Sequence, residues 1–185
     1  MDFRANEDQY WRYRGYDANI AQGLYNGCTN VVFSGEGSES VTLPEVLAWG
    51  KIDQNVDNAL LTALITTARI MCEQYTNTSI ITRTVAADIH NVNGGFILPY
   101  GPVTNTPTAV DCQGTALTLV WNFSQIQTPY GRMTVTYTAG FTTVPEVYKT
   151  AIMQQVLFLY ENRGDETAKM SPVACTLLNP LIRQK

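Results

Sequence analysis

The sequence predicts an α+β domain: a small helical core carrying an inserted antiparallel β block, folded as a small sandwich or curled sheet. Three observations carry that expectation. Apolar residues recur at three- and four-residue spacing before residue 76 and again after residue 145. Between them, residues 76–142 hold only four charges, Arg83, Asp88, Asp111 and Arg132, beside fourteen threonines and several alternating segments. The length of 185 residues suits one domain, which can bury roughly 70% of its unfolded surface and so needs neither metal nor disulfide to fold. The expected organisation is an N-terminal leader or arm over residues 1–40, then a domain over 41–185 with its β insertion at about 78–140.

The leader is polar and dotted with aromatics: Tyr10, Trp11, Tyr13, Tyr16 and Tyr25. Val31-Val32-Phe33 reads as a short strand. Thr42 and Glu45 stand in capping-box spacing, with Val41 and Val46 placed as a hydrophobic staple. Pro44 fits a first helical turn and Gly50 its end, which predicts a helix over about 43–49. The strongest helical signal covers 56–75, where Leu60, Leu61, Leu64, Ala68, Met71, Cys72 and Tyr75 form the expected buried stripe, capped by Asn55 or Asp57. Alternation at Ile80–Ile89, Thr115–Trp121 and Met133–Thr138 predicts half-buried strands. Turns are expected at Asn93-Gly94-Gly95, Tyr100-Gly101-Pro102 and Gln113-Gly114. A further helix follows Pro145 to about Asn162, with Gly164 as its left-handed cap. A short one starts at Ser171-Pro172 and stops at Pro180.

Composition excludes several functions. A net charge of −4 argues against a nucleic-acid reader, which carries a basic patch. Cys28, Cys72, Cys112 and Cys175 are too widely spaced for a zinc ribbon or thioredoxin-like motif. The N-terminus lacks the apolar core of a signal peptide, and no apolar run reaches membrane-spanning length, so a soluble protein made in a reducing cytosol is expected. His90 is the single histidine, in an apparent turn, and no metal spacing can be built on it. Asp53-Gln54-Asn55-Val56-Asp57 opens like a calcium loop but has Asn58 where glycine is required and Leu64 where the bidentate acid belongs. Ser34-Gly35-Glu36-Gly37-Ser38 lacks the lysine of a phosphate cradle. No catalytic residue, metal or cofactor is expected. A charged fraction of 15%, against about 25% in typical soluble domains, suggests that partners cover much of the surface.

The order of motifs is informative where the chemistry is not. Asp53…Asp57-Asn58-Ala59-Leu60-Leu61 enters the long helix, Leu98-Pro99…Pro102-Val103 marks a turn, and Tyr137-Thr138-Ala139-Gly140 precedes Val144-Pro145. Tyr160-Glu161-Asn162-Arg163 closes the later helix. In these pieces, across about residues 31–183, the sequence resembles the head–tail connector (adaptor) proteins of tailed bacteriophages and gene-transfer particles. It departs from them in its longer leader and at Trp49-Gly50.

That resemblance implies a structural, non-enzymatic subunit of the virion neck, made in the host cytoplasm. It implies a homo-oligomeric ring, typically of twelve copies, that joins capsid to tail and lines a channel through which genomic DNA passes. The partners implied are the portal protein and a stopper or tail-completion protein, with no membrane. The portal side is expected to use Leu177, Leu181, Ile182, Arg183 and Lys185, on a terminal segment whose removal (176–185) should leave a folded subunit. Neighbouring subunits or the tail side would meet Asn93, Gly94, Tyr100 and Val103, with Trp11 and Tyr13 from the leader. Two other readings stand beside it: a free-standing β-rich binding module, and a small hydrolase working through His90.

Overall fold

A computed structural model describes residues 28–35, 37–53, 57–90, 94–122, 125–128, 132–164 and 169–183. Among these residues, four α-helices, α1 (Leu43–Gly50), α2 (Asn58–Thr76), α3 (Glu146–Glu161) and α4 (Pro172–Leu178), accompany eight strands. These are β1 (Cys28–Ser34), β2 (Arg83–His90), β3 (Gly94–Ile97), β4 (Thr108–Val110), β5 (Ala116–Leu117), β6 (Val120–Asn122), β7 (Gln125–Thr128) and β8 (Arg132–Ala139). The fold is α+β, as the sequence predicts.

The strands form two antiparallel sheets, ordered β1-β2-β8-β4-β5 and β3-β7-β6. Val85, Ala87, Ile89, Met133, Val135 and Tyr137 of the larger sheet share one apolar cluster with Phe96 and Ile126 of the smaller. Every second residue of β2 and β8 is buried, as a sheet with one covered face requires. Residues 28–34 of the leader form an edge strand paired to β2. Thr115–Trp121 is two strands rather than one: β5 pairs with β4, whereas β6 pairs with β7 in the other sheet. Gly94 and Gly95, expected in a turn, begin β3 opposite Thr128 and Gln127.

A second cluster joins the helices: Val46 of α1, Leu61, Ile65, Ala68 and Cys72 of α2, Ala151, Ile152 and Val156 of α3, and Ala174 and Leu178 of α4. The capping box of α1 is present, with Thr42 donating from its backbone N–H (2.6 Å) and its hydroxyl (2.7 Å) to Glu45. Val41 and Val46, the two halves of the staple, are both buried. Gly50 is the last helical residue and Lys51 takes the left-handed cap; a Cβ at Gly50 would stand 2.6 Å from Leu157 of α3. Asn162, not Gly164, ends α3, its backbone N–H and side-chain amide both donating to the Phe158 carbonyl. Asp57 takes the N-cap position of α2, its carbonyl accepting from the Leu61 N–H (2.9 Å), while its carboxylate makes no capping bond and instead accepts from the Tyr160 hydroxyl (2.7 Å) and faces Arg163.

The α2 stripe differs from expectation in an instructive way. Leu61, Ile65, Ala68, Arg69, Cys72, Glu73 and Thr76 are buried; Leu60 is exposed and Leu64 only half-buried. The helix is rotated so that its two charged residues face inward.

Candidate assembly interface

The inward charges meet at the junction between the helices and the sandwich. Arg69, Glu73 and Arg83 are 1%, 2% and 3% exposed. Arg69 donates from Nη1 to Glu73 (2.9 Å) and from Nε to Glu39 (2.8 Å). Arg83, the first residue of β2, donates to the same Glu73 oxygen at 2.9 Å. Glu73 Oε1 also accepts from the Ile80 backbone at 2.8 Å, pinning the link that runs from α2 into β2. Burial pushes the Glu73 carboxyl up, while Arg83 and Arg69 act against that push. The Arg83 guanidinium lies 3.8 Å from the centre of the Phe33 ring, drawing β1 into the same cluster. Two arginines and two glutamates cancel, the second glutamate, Glu39, closing the cluster from its edge with its side chain 32% exposed. The i,i+4 spacing of Arg69 and Glu73 inside an apolar period was the sequence signal for it.

The turn after β3 is stitched to this junction. Ser79 donates to the Gly101 carbonyl (2.9 Å), Gly140 to Pro102 (3.0 Å), and the Tyr137 hydroxyl to Pro99 (2.5 Å). Gly140 has φ +118°, and a Cβ there would lie 2.2 Å from the Ile81 carbonyl oxygen, so only glycine fits. Tyr100 is buried, with its ring edge-on to Phe33 at 4.9 Å, and Val103 is half-buried in a bridge to Ala139. Both therefore sit in the body of the fold, away from a loop tip. Gly94 lies in β3; Asn93, Trp11, Tyr13 and Lys185 lie outside the described residues.

The C-terminal segment folds back onto the subunit. Arg183 donates its backbone N–H to Thr76 (3.0 Å), and Asn77 donates to the Arg183 carbonyl (3.3 Å). Tyr75 donates to Asn179 at 2.5 Å. The Arg183 guanidinium fills the space beside Gly101, where a Cβ would collide with it. Gln155 of α3 anchors the start of α4, accepting from the Ser171 backbone (2.7 Å) and donating to the Lys169 carbonyl (3.3 Å). Leu177 and Leu181 pack half-buried on the helical cluster, whereas Ile182 is 44% exposed.

No family model and no curated protein matches the sequence. Solved structures do. A chain from the neck of an empty gene transfer agent particle, computed with C6 symmetry, aligns with TM-score 0.68 at 17% identity, over 84% of this chain and 96% of that one. A chain from the virion of a native gene transfer agent particle gives 0.67 at 20% identity, with the same coverage. One from the neck of the native particle, computed with C12 symmetry, gives 0.61 at 20% identity, over 83% and 96%. What the chains share is a fold. It takes in almost the whole of each neck or virion chain.

The remaining chemistry is sparse. His90 closes β2 opposite Arg132; burial first, then Arg132, holds its imidazole below the usual histidine value. No group of three His, Cys, Asp or Glu able to hold a metal occurs among the described residues. Nor is any helix among them long and apolar enough to cross a membrane. All four cysteines are free thiols.

Proposed function

We propose that this chain is a structural subunit of the neck of a tailed, phage-like particle, an adaptor that forms a ring below the portal and works by geometry rather than catalysis. The observation that carries the reading is the near-complete coverage, 96%, of chains from gene transfer agent necks and virions by a fold of independent sequence. The C6 and C12 symmetries of those necks fit a ring of about twelve copies built through heterologous contacts that close by rotation. A subunit of net charge −4 suits a channel through which DNA slides, because a basic lumen would grip phosphate. The portal side of the proposal rests on Ile182 as the outward apolar group, with Arg183, Lys185, Leu177 and Leu181 around it. Tyr100 and Val103 would support a neighbour or tail contact by shaping their turn, together with Asn93, Gly94, Trp11 and Tyr13; a stopper or tail-completion protein would meet the opposite end.

Removing residues 176–185 would take away fully buried Leu178, so a point change is the sharper test. Ile182→Asp should leave a folded subunit that no longer enters portal-containing particles, read by particle purification and immunoblot. Undiminished incorporation would remove this segment from the portal contact. A labelled subunit imaged away from the neck would overturn the adaptor reading altogether.

A further inference from the structure

Helix α2 is charged on the inside and uncharged on the outside. Its only charged residues, Arg69 and Glu73, are buried in the junction. At about 100° per residue, positions 59, 70, 63, 74, 67 and 60 fall in that order within one arc of about 100°. They are Ala59, Ile70, Ala63, Gln74, Thr67 and Leu60; five are exposed and Gln74 is half-exposed. Leu60 and Ile70 stand 37% and 39% exposed. Thr67, and Thr62 about 60° outside the arc, donate their hydroxyls back to the Ala63 and Asn58 carbonyls, at 3.0 and 2.8 Å. Those hydroxyl donors are satisfied within the helix. A surface helix normally puts its charges on the solvent side; this one spends them internally and shows a face about 22 Å long without a charge.

We infer that this face of α2 is the contact surface for a second copy of the same chain, one flank of the subunit interface. The inference rests on the neck reading for the existence of a ring. The face itself specifies the occupant. It has no cation to hold DNA phosphate or an anionic membrane, and no charge of either sign to match a charged partner. Copies of a chain with net charge −4 repel wherever their carboxylates approach, so they associate best through a neutral face. Depletion of charge is the composition found at interface centres, and the interfaces between identical chains are the more apolar ones. Alanines and the inward-bonded Thr67 let another backbone come close. One helix face falls short of the roughly 800 Å² per partner of a stable interface, so α2 supplies its centre and other elements its margin.

Two arms test the inference on the full chain. Ala63→Glu puts a charge at the middle of an exposed arc, so its circular dichroism spectrum and melting temperature should match wild type. Its oligomer fraction, measured by light scattering with and without portal-containing particles, should fall at least about tenfold. In the second arm, a benzophenone amino acid replaces Thr67, and photolysis of the assembled form should yield a species of twice 20.5 kDa. This arm remains decisive if Ala63→Glu fails to fold. Wild-type assembly by a folded Ala63→Glu variant would overturn the inference and leave the neck reading standing. So would a crosslink to a different protein, or one confined to the same chain, such as to residues 1–27. A wild-type chain that forms no oligomer under any of these conditions would take the neck reading down, and this interface with it.

Discussion

At the scale of the residue, the sharpest distinctions lie on α2. Leu61 is fully buried and Leu64 only half so, although both satisfy the same helical period. Leu61→Ala should therefore cost about 2–5 kcal/mol in denaturant unfolding through transfer and cavity terms, and Leu64→Ala distinctly less. Equal costs would mean that the helix is rotated from the position described. The thiols give a second prediction. Burial pushes both Cys28 and Cys72 up to about 12, whereas Cys112 is exposed. A thiol reagent applied to the native protein at pH 8 should modify Cys112 first and leave Cys28 and Cys72 until unfolding, as peptide mass mapping would show. Periodicity located α2, but it could not tell which of several adjoining leucines faces in. That choice follows from Glu39 and Arg83, which lie outside the helix and hold Arg69 and Glu73 inside, with Phe33 stacked on Arg83.

At the scale of the element, helices were readable and short strands were not. The Thr42–Glu45 box, Pro44 and the Ser171-Pro172 start are local chemistry, so they mark α1 and α4 within a residue or two. β4 has three residues and β5 two, and each is defined by a partner strand rather than by its own pattern. Burial alternates through 117–121, across the gap between β5 and β6, because alternation reports faces; it says nothing of the change of partner between the two strands. The α1 cap also has a pH signature. The Thr42 hydroxyl and then its backbone N–H hold the Glu45 carboxyl below its ordinary value. A lowered folded-state value means that the contribution is present above the usual carboxylate range and is lost as pH falls through the folded value. Wild type should accordingly melt above Glu45→Gln at pH 7, with the gap closing on acidification toward pH 3 in calorimetry. A gap independent of pH would assign the difference to packing instead.

At the scale of the molecule, the order of elements and the scarcity of charge were both visible beforehand, and they led to an α+β fold of the kind found in gene transfer agent necks. The candidate interface was less legible. The expected contact residues were chosen from turns and from the terminus, yet Tyr100, Leu177 and Leu181 serve the subunit's own packing, and the neutral face of α2 emerges only once its rotation is known. Glu73→Gln should cost about 3–5 kcal/mol in chemical denaturation, since it leaves two buried guanidiniums short of a counter-charge; a loss below about 1 kcal/mol would show that water or other acceptors replace it. The junction also has an evolutionary consequence. A lineage that loses one of Glu39, Arg69, Glu73 or Arg83 strands an opposite charge in a dry interior, and the cheapest repair is to lose that one too. Across diverged relatives these four positions should change in charge-balanced pairs, as ion pairs gained or given up together, while the fold around them stays the same.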